Sequence, residues 1–118
     1  MSTVQSRKSK GRRLQQYLRD IILENFPNLE PDDVRSTPMG SSGTDLMMSP
    51  KAQKVFPFAP ECKNQESLSI WAALKQAEKN STDKLIPLLI FKRNNTKTYA
   101  VLELKKLIEI LKNNNKNE

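Results

Sequence analysis

Apolar residues recur along this chain with three different periods, and the periods divide it into elements. Between Arg12 and Phe26, residues Leu14, Tyr17, Leu18, Ile21, Ile22 and Phe26 return at steps of three and four, which predicts a helix that Pro27 ends. Two short extended segments, Asp33 to Thr37 and Thr44 to Met48, flank a Gly/Ser turn at Gly40 to Gly43, and a loop follows Pro50. The chain is extended again from Val55. Pro57 and Pro60 lack backbone donors, so good pairing is expected only from about Ala59 to Lys63. Asn64 is placed to cap a helix over Gln65 to Lys79, with Leu68, Trp71, Ala72 and Leu74 on one side. "KLIPLLIFKR" is almost continuously apolar, as a buried strand should be, and "RNNTKT" turns the chain into a hairpin partner, "TYAVLEL". Leu104, Leu107, Ile108 and Leu111 mark a last amphipathic helix from Glu103 to Asn113. The order helix, three strands, helix, two strands, helix reads as an α/β sandwich built on a mixed five-stranded sheet flanked by helices.

A chain of 118 residues fits one domain, read as residues 11–113, preceded by a flexible basic arm over 1–10 and followed by a polar tail over 114–118. Charge adds a partner class. Lys and Arg number 20 against 13 Asp and Glu, a net charge of +7, and Arg7, Lys8, Lys10, Arg12 and Arg13 open the chain with no acid among them. Such a surface suits a polyanion. Composition also excludes chemistry. Without histidine there is no Ser-His-Asp or Cys-His nucleophile and no His-bearing zinc site, and one cysteine allows neither an internal disulfide nor a CxxC cage. The polar N-terminus is not read as a signal peptide and no apolar run approaches a membrane span, so no membrane contact and a cytoplasmic, reducing setting are expected.

The candidate chemistry lies at strand ends. Asp45 opens the second strand just after the Gly/Ser turn, and Glu61 and Lys63 end the third with Cys62 between them. Alternation puts Glu61 and Lys63 on one face and turns the Cys62 thiol to the core, leaving its backbone carbonyl available to a metal. Two carboxylates on neighbouring strands with a lysine two residues on suit divalent-metal phosphodiester hydrolysis. Mg²⁺ prefers hard oxygen ligands, keeps several waters, and lowers the pKa of one of them, while an ammonium neutralises the transition state. Mn²⁺ would substitute. Ser42 in the turn and Lys92, Arg93 and Lys97 around the hairpin are candidate phosphate contacts, with Arg12 and Arg13.

"GTDL", a spacer, "PECK", then a helix with "IWAALKQA" resembles the PD-(D/E)XK nuclease superfamily, and "VRSTPMGSSGTDL" after an N-terminal helix is similar to the archaeal Holliday-junction resolvases and their phage relatives. The resemblance spans residues 11 to about 102. It implies a restriction-endonuclease-like core, Asp45 and Glu61 as metal ligands, Lys63 as the catalytic lysine and Gln76 as a glutamine near the active site. It also places Ser41 or Ser42 near the active-site loop serine. It implies branched DNA as substrate, a role in DNA recombination and a homodimer. The resolvases carry a further glutamate on the first helix. "GRRLQQYLRDIILE" offers Gln15, Gln16, Asp20 and Glu24, of which Glu24 is taken as the additional metal ligand. The Asn- and Lys-rich composition fits an AT-rich genome, such as that of a phage. The alternatives are a sequence-specific restriction or homing-type endonuclease and a non-catalytic DNA-binding module on the same fold.

Overall fold

The computed structural model describes residues 3–116, so residues 1–2 of the expected arm and 117–118 of the expected tail lie outside the described residues. The chain forms a mixed α/β fold. Helix α1 spans Val4–Asn25 and begins two turns earlier than the apolar period predicts. Thr3 caps it, its hydroxyl accepting the Ser6 N–H at 3.0 Å, and no proline intervenes before Pro27. Residues 4–10 of the expected arm therefore belong to helix α1. The helix ends where the Phe26 N–H bonds the Ile22 carbonyl.

A short 3₁₀ turn at Pro31–Asp33 leads into β1, Val34–Ser36, which pairs antiparallel with β2, Leu46–Met48. Arg19 of α1 ties this hairpin down by donating to the carbonyls of Val34 at 2.7 Å and Pro31 at 3.1 Å. Where a loop was expected after Pro50, a helix α2 spans Pro50–Val55. Ser49 caps it and proline occupies its first turn, where the missing N–H costs nothing.

Strand β3, Phe58–Asn64, outruns its expected length and pairs in parallel with β4, Ile86–Lys92, along all seven residues. Helix α3, Ile70–Asn80, connects them. Its cap is Ser69 and not Asn64, which still belongs to the strand. β5, Tyr99–Val101, pairs antiparallel with β4, and α4, Leu104–Lys116, extends through what was expected to be tail.

The five strands do not form one sheet. They fall into a two-stranded sheet, β1-β2, and a three-stranded sheet, β3-β4-β5. The physical reason lies in Pro60. Its missing N–H faces the edge where β2 approaches, so a regular ladder cannot run there. Across that seam the Asp45 N–H and the Thr44 hydroxyl both donate to the Pro60 carbonyl, each at 3.0 Å.

The core is continuous across the seam. Leu14, Leu18 and Ile22 of α1 pack with Val34, Leu46, Ala52, Cys62, Leu88 and Ile90. Leu89, with Ala73 and Ala77 of α3, is buried on the opposite face of β4. Among the described residues no helix is long and apolar enough to cross a membrane. Leu46 is fully buried where the two sheets meet. Leu46→Ala should therefore lower stability by about 3 kcal/mol in urea denaturation, the usual cost of a methylene-lined cavity.

Candidate active site

The seam between the two sheets is where the chemistry collects. Asp45 sits one residue before β2. Its backbone N–H bonds the Pro60 carbonyl, and its Oδ2 accepts the Cys62 N–H at 2.6 Å. The carboxylate thus takes the place of the next backbone acceptor that a regular β2–β3 ladder would supply. Thr37 holds the same turn from the other side, donating its N–H to the Asp45 carbonyl and its hydroxyl to the Thr44 carbonyl. Gly40 and Gly43, both with positive φ, shape the loop that brings Asp45 back to β3.

Glu61 lies on the α3 face of β3 and is only 4 % exposed. Its two oxygens have different partners. Oε1 accepts from Asn80 Nδ2 at 3.0 Å, and Oε2 faces Lys63 Nζ at 3.7 Å. A buried carboxylate needs such partners, because an unpaired one carries a large desolvation penalty. Asp45 is close enough to feel both charges. Burial raises its pKa from 3.8 to about 6, with the Glu61 charge adding to the rise and the Cys62 N–H and Lys63 opposing it. Cys62 turns its thiol into the core. Burial, reinforced by Asp45 and Glu61, pushes that thiol far above its ordinary range, so it remains protonated and unreactive. Its carbonyl points to the same edge as its N–H, toward the seam.

Asp45, Glu61, Cys62 and Lys63 line one cleft of about 350 Å³. The opposite wall is a stripe of α1, namely Val4, Arg7, Lys8, Gly11 and Gln15. The residues read as a basic arm therefore carry two cations into the cleft on a helix. Gln15 is buried, its Oε1 accepting from the Ser36 hydroxyl at 2.6 Å.

The structure redistributes the other expected site residues. Glu24 is exposed and lies nine residues beyond Gln15, roughly 13 Å along the helix axis, so it does not reach the cleft. Gln15 is the buried α1 residue that lines the cleft. Gln76 is exposed on the outer side of α3 and is not part of the cleft. Asn80 takes the role of the α3 amide instead. The signal was present, since Asn80 continues the inner stripe of Ala73 and Ala77 at helical spacing. Ser41 lines the cleft and Ser42 does not. Arg12 and Arg13 point to solvent on another side of α1. Lys92, Arg93 and Lys97 surround the β4–β5 turn, outside the cleft lining. That turn adjoins the rim, because the Lys92 carbonyl accepts from Gln65, which lines the cleft, and the Asn94 N–H donates to Glu66.

Comparison of the chain with family models, with curated proteins and with solved structures finds no match in any of the three.

Among the described residues no group of three or more cysteine and carboxylate side chains is gathered closely enough to hold a metal. Mg²⁺ does not require such a cage, since it is held by one or two carboxylates and completes its shell with water. Asp45, Glu61 and the Cys62 carbonyl are of that chemical type, all hard oxygens at one seam.

The raised Asp45 pKa sets a stability prediction. Between about pH 4 and pH 6 the folded chain holds a proton that the unfolded chain has lost, so Asp45 lowers stability as pH rises through this window. Asp45→Asn keeps an acceptor for the Cys62 N–H and removes the charge. It should be more stable than the parent chain at pH 7 by about 1 kcal/mol, allowing for partial solvent screening, with the difference vanishing below pH 4. Urea midpoints at three pH values measure it. A uniform loss of stability in the variant at every pH would contradict the burial argument.

Proposed function

We propose that the chain is a small Mg²⁺-dependent endonuclease that hydrolyses DNA phosphodiester bonds, built on a restriction-endonuclease-like core. The observation that carries this reading is the convergence of Asp45, Glu61 and Lys63 on one cleft at the seam of the two sheets. Arg7 and Lys8 stand on the opposite wall. Two acids alone would repel a phosphate. Two acids with three cations around them suit a phosphate that arrives with a divalent metal, because the metal cancels the carboxylates and the cations hold the backbone.

Asp45, Glu61 and the Cys62 carbonyl would hold the ion, which supplies Lewis-acid charge stabilisation and a more acidic bound water. The residues themselves do the positioning. Asn80 fixes one oxygen of Glu61 and so orients the other toward Lys63. The Lys63 ammonium neutralises charge that grows on the phosphoryl oxygens and orients the attacking water. Water adds to phosphorus, the bond to the leaving oxygen breaks, and that oxygen leaves as a hydroxyl. Arg7 and Lys8 set the register of the strand along the helix. The resemblance favours a branched substrate such as a four-way junction, recognised by shape.

A second reading, a non-catalytic DNA-binding module, draws on one observation. Glu61 already has two protein partners, and α1 offers Gln15 where an acid would complete a richer metal site.

The test uses a labelled four-way junction, a linear duplex of the same sequence, a flap and a single strand, each with and without Mg²⁺. Paired nicks in the junction with the duplex spared are the expected result. Cutting of the duplex at one defined sequence would move the reading to a restriction-like enzyme, and binding without cutting under any divalent metal would favour the module. Glu61→Gln should abolish cleavage while binding persists. Full activity in that variant would remove Glu61 from the site. The double change Arg7→Ala with Lys8→Ala should reduce the slope of log K against log salt by about 2 if each contacts one phosphate. An unchanged slope would place the DNA elsewhere.

A further inference from the structure

The three-stranded sheet carries a row of side chains that begins at the cleft and ends in solvent. The parallel register pairs Lys63 with Phe91, and the antiparallel register pairs Phe91 with Tyr99. Side chains at paired positions share a face, so all three stand on the face where Glu61 meets Asn80. Lys63 lines the cleft, Phe91 is half-buried, and Tyr99 is 55 % exposed. The two rings lie 6.1 Å apart with their planes tilted by 36°, so Phe91 supports the tyrosine from within the sheet. Neighbouring strands are roughly 5 Å apart, which sets Tyr99 about 10 Å from Lys63 along the row.

The end of this row is cationic. Arg93 follows Phe91 by two residues, Lys97 precedes Tyr99 by two, and no carboxylate occurs from residue 91 to residue 102. Both cations are exposed, and among the described residues neither forms an ion pair. Lys92 alternates to the opposite face of the sheet. Glu66 is the acid docked on the turn, where it accepts the Asn94 N–H. The turn is fastened to the rim of the cleft, since the Gln65 N–H bonds the Lys92 carbonyl and Gln65 lines the cleft.

We propose that Tyr99 is a stacking platform for an unpaired base of bound DNA, with Arg93 and Lys97 on phosphates of the same strand and Lys63 at the phosphate to be cut. The inference rests on the nuclease reading for the arrival of DNA in the cleft. It adds the substrate class, a branch or end with bases unpaired close to the cut. The 10 Å between Lys63 and Tyr99 is about the axial span of three nucleotides in a B-form strand. Two features select a base over other occupants. A nucleotide uses the ring and the cations together, because its base offers a π face and its backbone brings the charge. An apolar peptide would cover Tyr99 and leave Arg93 and Lys97 without partners. The row is also continuous with the cleft, so a strand held at Lys63 reaches Tyr99 without leaving the protein. A paired base keeps its face inside the duplex, so the ring separates unpaired from paired DNA without reading sequence.

The probe is a duplex with a short single-stranded arm that carries 2-aminopurine at each arm position in turn. It is bound to the full chain without Mg²⁺, so no strand is cut. At one or more positions the emission should fall on binding, because stacking quenches it. Tyr99→Thr keeps a strand former at an exposed site, so its far-UV dichroism should be unchanged. This variant should lose the quenching and bind the armed duplex at least about fivefold more weakly, with its affinity for a blunt duplex unchanged. Tyr99→Phe should keep both the quenching and the affinity, since stacking needs the ring alone. Quenching that survives in Tyr99→Thr would overturn the proposal. So would an equal loss of affinity for armed and blunt duplex, which would make Tyr99 a structural member of the hairpin. The two readings fail separately. Cutting under Mg²⁺ with no Tyr99-dependent quenching keeps the nuclease and removes the platform. Tyr99-dependent quenching with no cutting under any divalent metal keeps the platform and removes the nuclease.

Discussion

The hydrogen bond from the Cys62 N–H to the Asp45 carboxylate is the contact on which the arrangement turns. Pro60 prevents β2 and β3 from zipping together, yet the seam still exposes the Pro60 carbonyl and the Cys62 N–H, and both lie too deep for water to satisfy freely. Asp45 answers both, with its backbone N–H for the first and its side chain for the second. A side chain standing in for a ladder rung keeps one oxygen committed to structure while the residue still lines the cleft. The same substitution explains the charge state. A carboxylate drawn into a seam between two sheets is desolvated, and one N–H compensates only part of that, so its pKa rises. The feature that joins the two sheets is thus the feature that strains the site.

Glu61 reaches the cleft by a different route and carries a different constraint. It is more deeply buried than Asp45, but Asn80 and Lys63 approach it from two sides. One carboxylate is desolvated at the seam with a single N–H on its side chain, and the other has an amide and an ammonium beside it on the strand. Two acids whose environments differ in this way are suited to different tasks. Glu61 sets the geometry and orients Lys63, while Asp45 changes its charge most readily when a cation arrives. α1 completes the balance, since its first turns carry Arg7 and Lys8 to the wall opposite the acids.

Much of this was legible in the sequence. Hydrophobic period and turn signals located four of the strands to within about two residues, while β5 ends three residues before the expected "TYAVLEL" does; Asp45 lies just before β2 as expected, but Glu61 falls in the middle of β3 and only Lys63 near its end. What period could not show was any element that lacks an apolar repeat. The start of α1 is almost wholly polar after Val4, so only the cap at Thr3 marked it. α2 is too short to display a period, although Ser49 followed by Pro50 is a strong start signal. Gln76 and Glu24 were assigned by analogy with positions in other nucleases. The stripes of their own helices place both on outer faces, bring Gln15 to the cleft and set Asn80 against Glu61 from outside the cleft lining. The division into two sheets was also hidden, because a proline in a strand shows that a rung is missing without showing which edge loses it.

The last helix shows the sharper limit of pattern reading. Leu104, Leu107, Ile108 and Leu111 identify an amphipathic helix correctly, and the ordinary assumption is that its apolar face covers the chain's own sheet. In the structure that stripe turns outward, and the sheet face near β5 carries a groove in its place. Val101 ends the strand and Leu104 begins the helix, so only two residues connect them. With β5 only three residues long, the outer edge of β4 at Ile86 and Pro87 also stays open. The stripe that pattern alone assigns to the interior therefore stands exposed beside that groove.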